Sequence, residues 1–174
     1  MLVRLSKIVR RRNRFYNSCL MTDHTGFSAI WQQWQALRYL WMARMHRHFG
    51  ILSHDAREFL AAISYYDRAL DINRSLSRAY LERGILYWRE LNESRRAIVD
   101  LNTALRLRPA WPEALFCRGL AHQTAGNLAQ ARQDFEAYLS SGDRAWRDDS
   151  SRQVQLIHLM QGGTGSDSAT ENKA

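Results

Sequence analysis

A chain of 174 residues fits one ordinary domain, and an apolar fraction of 45% is enough to build a core. Two prolines, nine glycines and no run of 18 uncharged apolar residues favour helices and exclude a membrane-spanning helix. The net charge of +8 is local: residues 1–50 hold nine arginines and lysines against Asp23 alone, whereas the remainder carries sixteen cations and sixteen anions.

Residues 1–26 form a basic N-terminal segment. Leu2, Leu5, Ile8, Val9, Phe15 and Tyr16 alternate with Arg4, Lys7, Arg11 and Arg14, and no acid precedes Asp23. The pattern fits either a disordered arm or a basic amphipathic helix, one that could touch anionic lipid, nucleic acid or nothing. Nucleic acid rests on this arginine run alone and is not an expected partner. The short apolar stretch precedes the arginines, the wrong order for a secretory signal. Met21-Thr22-Asp23 reads like an ordinary translation start, which would make residues 1–20 upstream sequence.

A helix is expected over 27–50. Ile30, Trp34, Leu37, Trp41 and Met45 make one stripe at 3–4 spacing, expected to be the face covered by the rest of the fold. Phe27, Trp31, Tyr39 and Met42 spread apolar surface further around the helix. One packing seam cannot hide all of it. Trp31, Trp34 and Trp41 are therefore read as a second contact surface, for a partner protein or a membrane interface, with a plain cap on the first repeat as the alternative.

Further helices are expected at 56–73, 77–90, 94–107, 112–125 and 128–140, with Asn92 and Asn127 at tight turns. Small residues recur along them at one period. Gly50, Gly84 and Gly119 are 34 and 35 positions apart, and Ala62, Ala97 and Ala131 follow at 35 and 34. Ala69, Ala104 and Tyr138 keep the same steps, each followed by Leu70, Leu105 or Leu139 and preceded by Tyr66, Leu101 or Phe135. A glycine and an alanine on facing helices let the axes approach, and the bulky trio fills the space against the next pair. One such pair cannot bury its apolar face alone, so several must stack. Asp148-Asp149-Ser150 starts a helix over 147–161 that would cap the last pair, and residues 162–174 have the composition of a disordered tail.

This spacing resembles the tetratricopeptide repeat, with a small residue at the eighth position, alanine near the twentieth and a closing proline, over 43–76, 77–111 and 112–145. The aromatic usual at the fourth position is His46, Tyr80 and Leu115, and the closing proline appears only as Pro109. The resemblance implies an all-α, right-handed superhelical array, a repeat domain over 27–161, and a concave groove lined by the first helix of each repeat. Its groove positions fall on Arg44, Arg47, Ile51 and His54, then Arg78, Leu81, Ile85, Trp88 and Arg89, then Glu113, Phe116, Leu120, Gln123 and Thr124. Arg44, Arg47, Arg78, Ile85, Trp88, Arg89 and Phe116 are the expected partner-binding residues, suited to an amphipathic or acidic-hydrophobic segment. Members that clamp a C-terminal carboxylate use Lys, Arg and Asn where this chain has Arg47, Ile51, Glu82, Glu113 and Cys117, so a clamp for an acidic chaperone tail is not expected.

No Walker loop, GxSxG, HExxH or CxxC occurs, and Cys19 and Cys117 have no metal spacing. His46 and His48 lie about 200° apart on a helix and cannot share an ion. The expectation is a non-enzymatic scaffold, adaptor or assembly factor with no cofactor or metal, cytoplasmic or peripheral to a membrane, whose partner is another protein. The alternative is a permanent structural subunit of a larger membrane-associated or ribonucleoprotein complex.

Overall fold

A computed structural model of the chain describes the backbone of residues 3–162 and the side chains of residues 28–161. The tail expected at 162–174 lies outside the described residues apart from the backbone of Gly162, and so do the side chains of the segment 1–26. Seven helices follow one another: α1 (Val3–Ser53), α2 (Ala56–Ile72), α3 (Ser77–Arg89), α4 (Ser94–Leu107), α5 (Pro112–Thr124), α6 (Leu128–Ser140) and α7 (Arg147–Gly162). Among the described residues there is no strand. The expected ends of the other six helices hold to a residue, whereas α1 begins at Val3, runs unbroken through the boundary placed at 26/27 and ends at Ser53, three residues beyond 50.

Local chemistry sets the turns. The side chain of Asp55 accepts from the Arg57 N–H and caps α2. Pro112 opens α5, where a missing N–H costs nothing. The turn from α5 to α6 needs a left-handed residue, and Gly126 supplies it at φ 80°. His54, Asn92, Ala110 and Gly142 take the same left-handed region in four other turns.

α1 packs on α2, α3 on α4 and α5 on α6; α2 then meets α3, α4 meets α5, and α7 lies on α6. The small-residue columns mark the crossings. A Cβ placed on Gly50 or Gly119 would stand 2.6 Å from the Phe59 ring or 2.8 Å from the Phe135 ring, and on Gly84 it would stand 3.3 Å from the Ala97 carbonyl oxygen. Ala62, Ala97, Ala131, Tyr66, Leu101 and Phe135 are fully buried, as the repeat columns require.

A second column runs through the same crossings. Arg83 forks onto Asp100 with both contacts at 2.7 Å, and Arg118 forks onto Asp134 at 2.9 and 2.5 Å. Each arginine also reaches back to the preceding pair, Arg83 to Asp67 and Arg118 to Asn102. Bidentate, mostly shielded pairs of this kind fix the register of stacked helices as well as attracting them. The first pair departs from the pattern: Phe49 and Tyr65 stand at the corresponding positions, and His46 hydrogen-bonds Glu58 at 2.7 Å while stacking on Tyr65.

The covered face of α1 is not the expected stripe. Ala36, Leu40, Ala43 and Gly50 face α2 and are buried, whereas Ile30, Trp34, Leu37 and Trp41 point outward. The reason is the same as at the glycines: the tight crossing selects small side chains, so the large ones fall on the opposite side.

Candidate functional site

α1, α3 and α5 contribute the first helix of each pair, and their shared side carries most of the expected groove. A cleft of 340 Å³ is lined by Arg47, Ile85, Trp88, Arg89, Glu113, Phe116, Cys117, Leu120 and Trp146. Five of the seven expected partner-binding residues thus meet: Arg47 from α1, Ile85, Trp88 and Arg89 from α3, and Phe116 from α5. Leu81, also assigned to the groove, instead lies fully buried in the core.

The aromatic floor is held in place. Trp88 Nε1 donates to Thr124 Oγ1 at 3.0 Å, and that hydroxyl donates to the Leu120 carbonyl at 2.9 Å. Phe116 stacks on Trp146 with centroids 5.0 Å apart and planes 5° from parallel. Trp146 is a residue the sequence reading missed, because it falls between the third repeat and the cap. It is anchored through Tyr138, whose hydroxyl donates to Asp143 at 2.6 Å and accepts from the Trp146 N–H at 2.7 Å. An aromatic just before a capping helix was the one signal available.

The cations divide into two sets. Arg44 and Arg78 do not line the cleft and are held by acids of the chain. Arg44 forks onto Glu82 at 2.8 Å for both contacts, and Arg78 bridges Glu82 at 2.7 Å and Glu113 at 2.8 Å. Glu82 is almost fully buried and also accepts from Tyr66 at 3.2 Å. Burial pushes its carboxyl up, but the hydrogen bonds from Arg44 and Arg78 outweigh it and hold the group below its ordinary value of 4.5. The other set faces the cleft. Arg89 is exposed and pairs only loosely with Glu90, at 3.5 Å. Arg47 has a buried Nε that makes no hydrogen bond among the described residues. Cys117 is a packing residue: burial pushes its thiol up to about 12, far from the thiolate a nucleophile or metal ligand needs.

Among the described residues no three His, Cys, Asp or Glu side chains are placed to hold a metal ion, and no helix is long and apolar enough to cross a membrane. Trp31, Trp34 and Trp41 do not line the cleft, and their exposures are 58%, 66% and 58%.

Stacked antiparallel helix pairs with a concave first-helix face define a helical-repeat protein. No family model matches the sequence, and no curated protein is similar to it in sequence. Solved structures are similar in fold. The first TPR of Spaghetti (RPAP3), bound to the HSP90 peptide SRMEEVD, has a TM-score of 0.65 at 20% identity, over 75% of this chain and 95% of that one. The second TPR domain of human RPAP3, in complex with the HSP70 peptide SGPTIEEVD, gives 0.58 at 19%, over 71% and 98%. The Sgt2 TPR domain from Aspergillus fumigatus gives 0.56 at 18%, over 76% and 85%. The chain has the tetratricopeptide-repeat fold: all-α, with three helix-turn-helix repeats in a right-handed superhelical array.

Proposed function

We propose that the chain is a protein-interaction module that receives a peptide or helix of another protein in the cleft between α3, α5 and Trp146. The observation that carries this reading is the cleft itself, an aromatic floor of Trp88, Phe116 and Trp146 beside Arg47 and Arg89, two cations not committed to buried acids of the chain. An apolar anchor flanked by a carboxylate matches that surface. Several structures of similar fold hold acidic chaperone peptides. In this chain Glu82 and Glu113 hold Arg44 and Arg78, which favours a different, more apolar segment over a free C-terminal carboxylate.

The test compares partners recovered by the full chain and by its Trp88→Ala variant. Trp88→Ala weakens capture by more than about 1 kcal/mol if the indole is a central anchor. Equal capture by both places the site elsewhere, and tight binding of SRMEEVD overturns the argued ligand preference. The second reading, a permanently held subunit, draws on the exposed tryptophans of α1. It predicts a stoichiometric complex that does not dissociate on dilution, where the first predicts reversible binding.

A further inference from the structure

α1 is the only first helix of a repeat with no helix before it among the described residues. Its counterparts show what that side does. Ala79 and Leu86 of α3 are fully buried, in one cluster with the residues of α2, and Ala114 and Ala121 of α5 are fully buried in one cluster with those of α4. Between them Arg83 and Arg118 grip Asp67 and Asn102 of the preceding second helix. The same positions of α1 are Met45, Phe49 and Leu52, and there Phe49 is 50% and Leu52 66% exposed. At a helical repeat of about 100° per residue, Ile30, Trp34, Leu37 and Trp41 continue this face towards the N-terminus. The exposed tryptophans are therefore the extension of an inter-repeat seam that no helix covers among the described residues.

We infer that this seam takes an amphipathic α-helix of another protein, apolar along one stripe and acidic along its edges. Register supports a helix: the face has the positions that two seams of this same chain fill with one, and Trp31, Trp34 and Leu37 border a concavity of 430 Å³ that accepts a projecting side chain. Charge selects its edges. Between Ser28 and His54 the chain carries no acid, and Arg38, beside the concavity, is the cation on this side, since Arg44 is held by Glu82 and Arg47 faces the cleft. A second copy would bring no acid of this face to meet Arg38. The C-terminal tail, GTGSDSATENKA, has no large apolar residue to supply.

The probe is a stapled helical peptide with leucines at 3–4 spacing and flanking glutamates, paired with one whose glutamates are lysines. Fluorescence anisotropy with the full chain should show the glutamate peptide binding at least tenfold more tightly than the lysine peptide. Trp34→Gln and Trp41→Gln should each weaken it about tenfold, and Trp88→Ala should leave it unchanged, so failure here and failure of the cleft are separable. Three results overturn the inference. One is peptide binding indifferent to Trp34→Gln. Another is a dimer in light scattering that Trp34→Gln dissociates, which makes the occupant a second copy. The third is Trp34-dependent sedimentation with equimolar phosphatidylglycerol–phosphatidylcholine vesicles, without binding of the glutamate peptide, which makes it a lipid surface.

Discussion

At the C-terminal end of the array α7 lies over α6 and buries Ile157 beside Phe135, while at the N-terminal end α1 turns Ile30, Trp34, Leu37 and Trp41 outward. α7 also leaves Leu159 and Met160 exposed near its end, but its length carries Asp148, Asp149 and Arg152, which suit water. α1 has no acid anywhere along its described side chains. Every repeat has two sides to cover, and among the described residues a covering helix lies over one end only. The lesson is that an apolar face at the end of an array is read by asking what its counterparts inside the array touch.

The largest effect should come from uncapping the closed end. Ile157→Ala removes a fully buried side chain from the small cluster with Phe135 and Ala131, and should cost about 2–4 kcal/mol in denaturant unfolding. A loss below about 1 kcal/mol would mean that α7 rests on the array without capping it.

Next comes the interior that both ends depend on. Gly84→Leu places its Cβ 3.0 Å from Leu101 and 3.3 Å from the Ala97 carbonyl, and the rest of the side chain must push α3 from α4. Overpacking should cost about 1–3 kcal/mol in thermal melts. An unchanged midpoint would remove the close crossing from the account of the fold.

Glu82 joins the two halves of the comparison, since it ties α1 to α3 through Arg44. Glu82→Gln should cost about 1–2 kcal/mol at neutral pH, moderated because Arg44 and Arg78 are half exposed and can be resolvated. The folded carboxyl sits below its ordinary 4.5, so the unfolded chain binds the proton more readily. Stability from this group is therefore present above about 4.5 and lost as pH falls through the lower folded value. Circular-dichroism melts across about pH 3–6 should show a steeper acid loss for the parent chain than for Glu82→Gln. Parallel curves would assign the acid sensitivity to other carboxylates.

How much of this could be read from the sequence depends on the residue type. The Gly50/Gly84/Gly119 and Ala62/Ala97/Ala131 columns were legible because a close crossing admits only small side chains, whichever way they point. Arg83, Arg118, Asp100 and Asp134 recur at the same period, yet they entered only as part of a balanced charge count, because pairing depends on which helix face meets which. The cleft was legible as Ile85, Trp88, Arg89, Phe116 and Arg47. Arg44 and Arg78 were assigned with them because an alignment of positions does not reveal that Glu82 lies between the two. In α1 two faces carried apolar residues, and periodicity alone does not say which is covered. The larger side chains suggested the wrong one.

The smallest effect is expected where the side chains are largest. Trp34 is two-thirds exposed, so Trp34→Gln removes little buried area and should change unfolding free energy by no more than about 0.5 kcal/mol. Leu40, on the opposite side of the same helix, is buried with Ala43, Ala62 and Tyr66, and Leu40→Ala should cost about 2–3 kcal/mol. The pair of variants measures the comparison within one helix: same element, similar distance from the repeat body, opposite faces. If Trp34→Gln destabilises the isolated chain as much as Leu40→Ala does, the tryptophan face is covered by the chain itself and the array is closed at both ends. If Trp34→Gln leaves the midpoint in place and raises solubility, the indole stabilises nothing within the monomer. Its exposed apolar surface then lowers solubility without stabilising the fold, which a helix docked on the open seam would reverse.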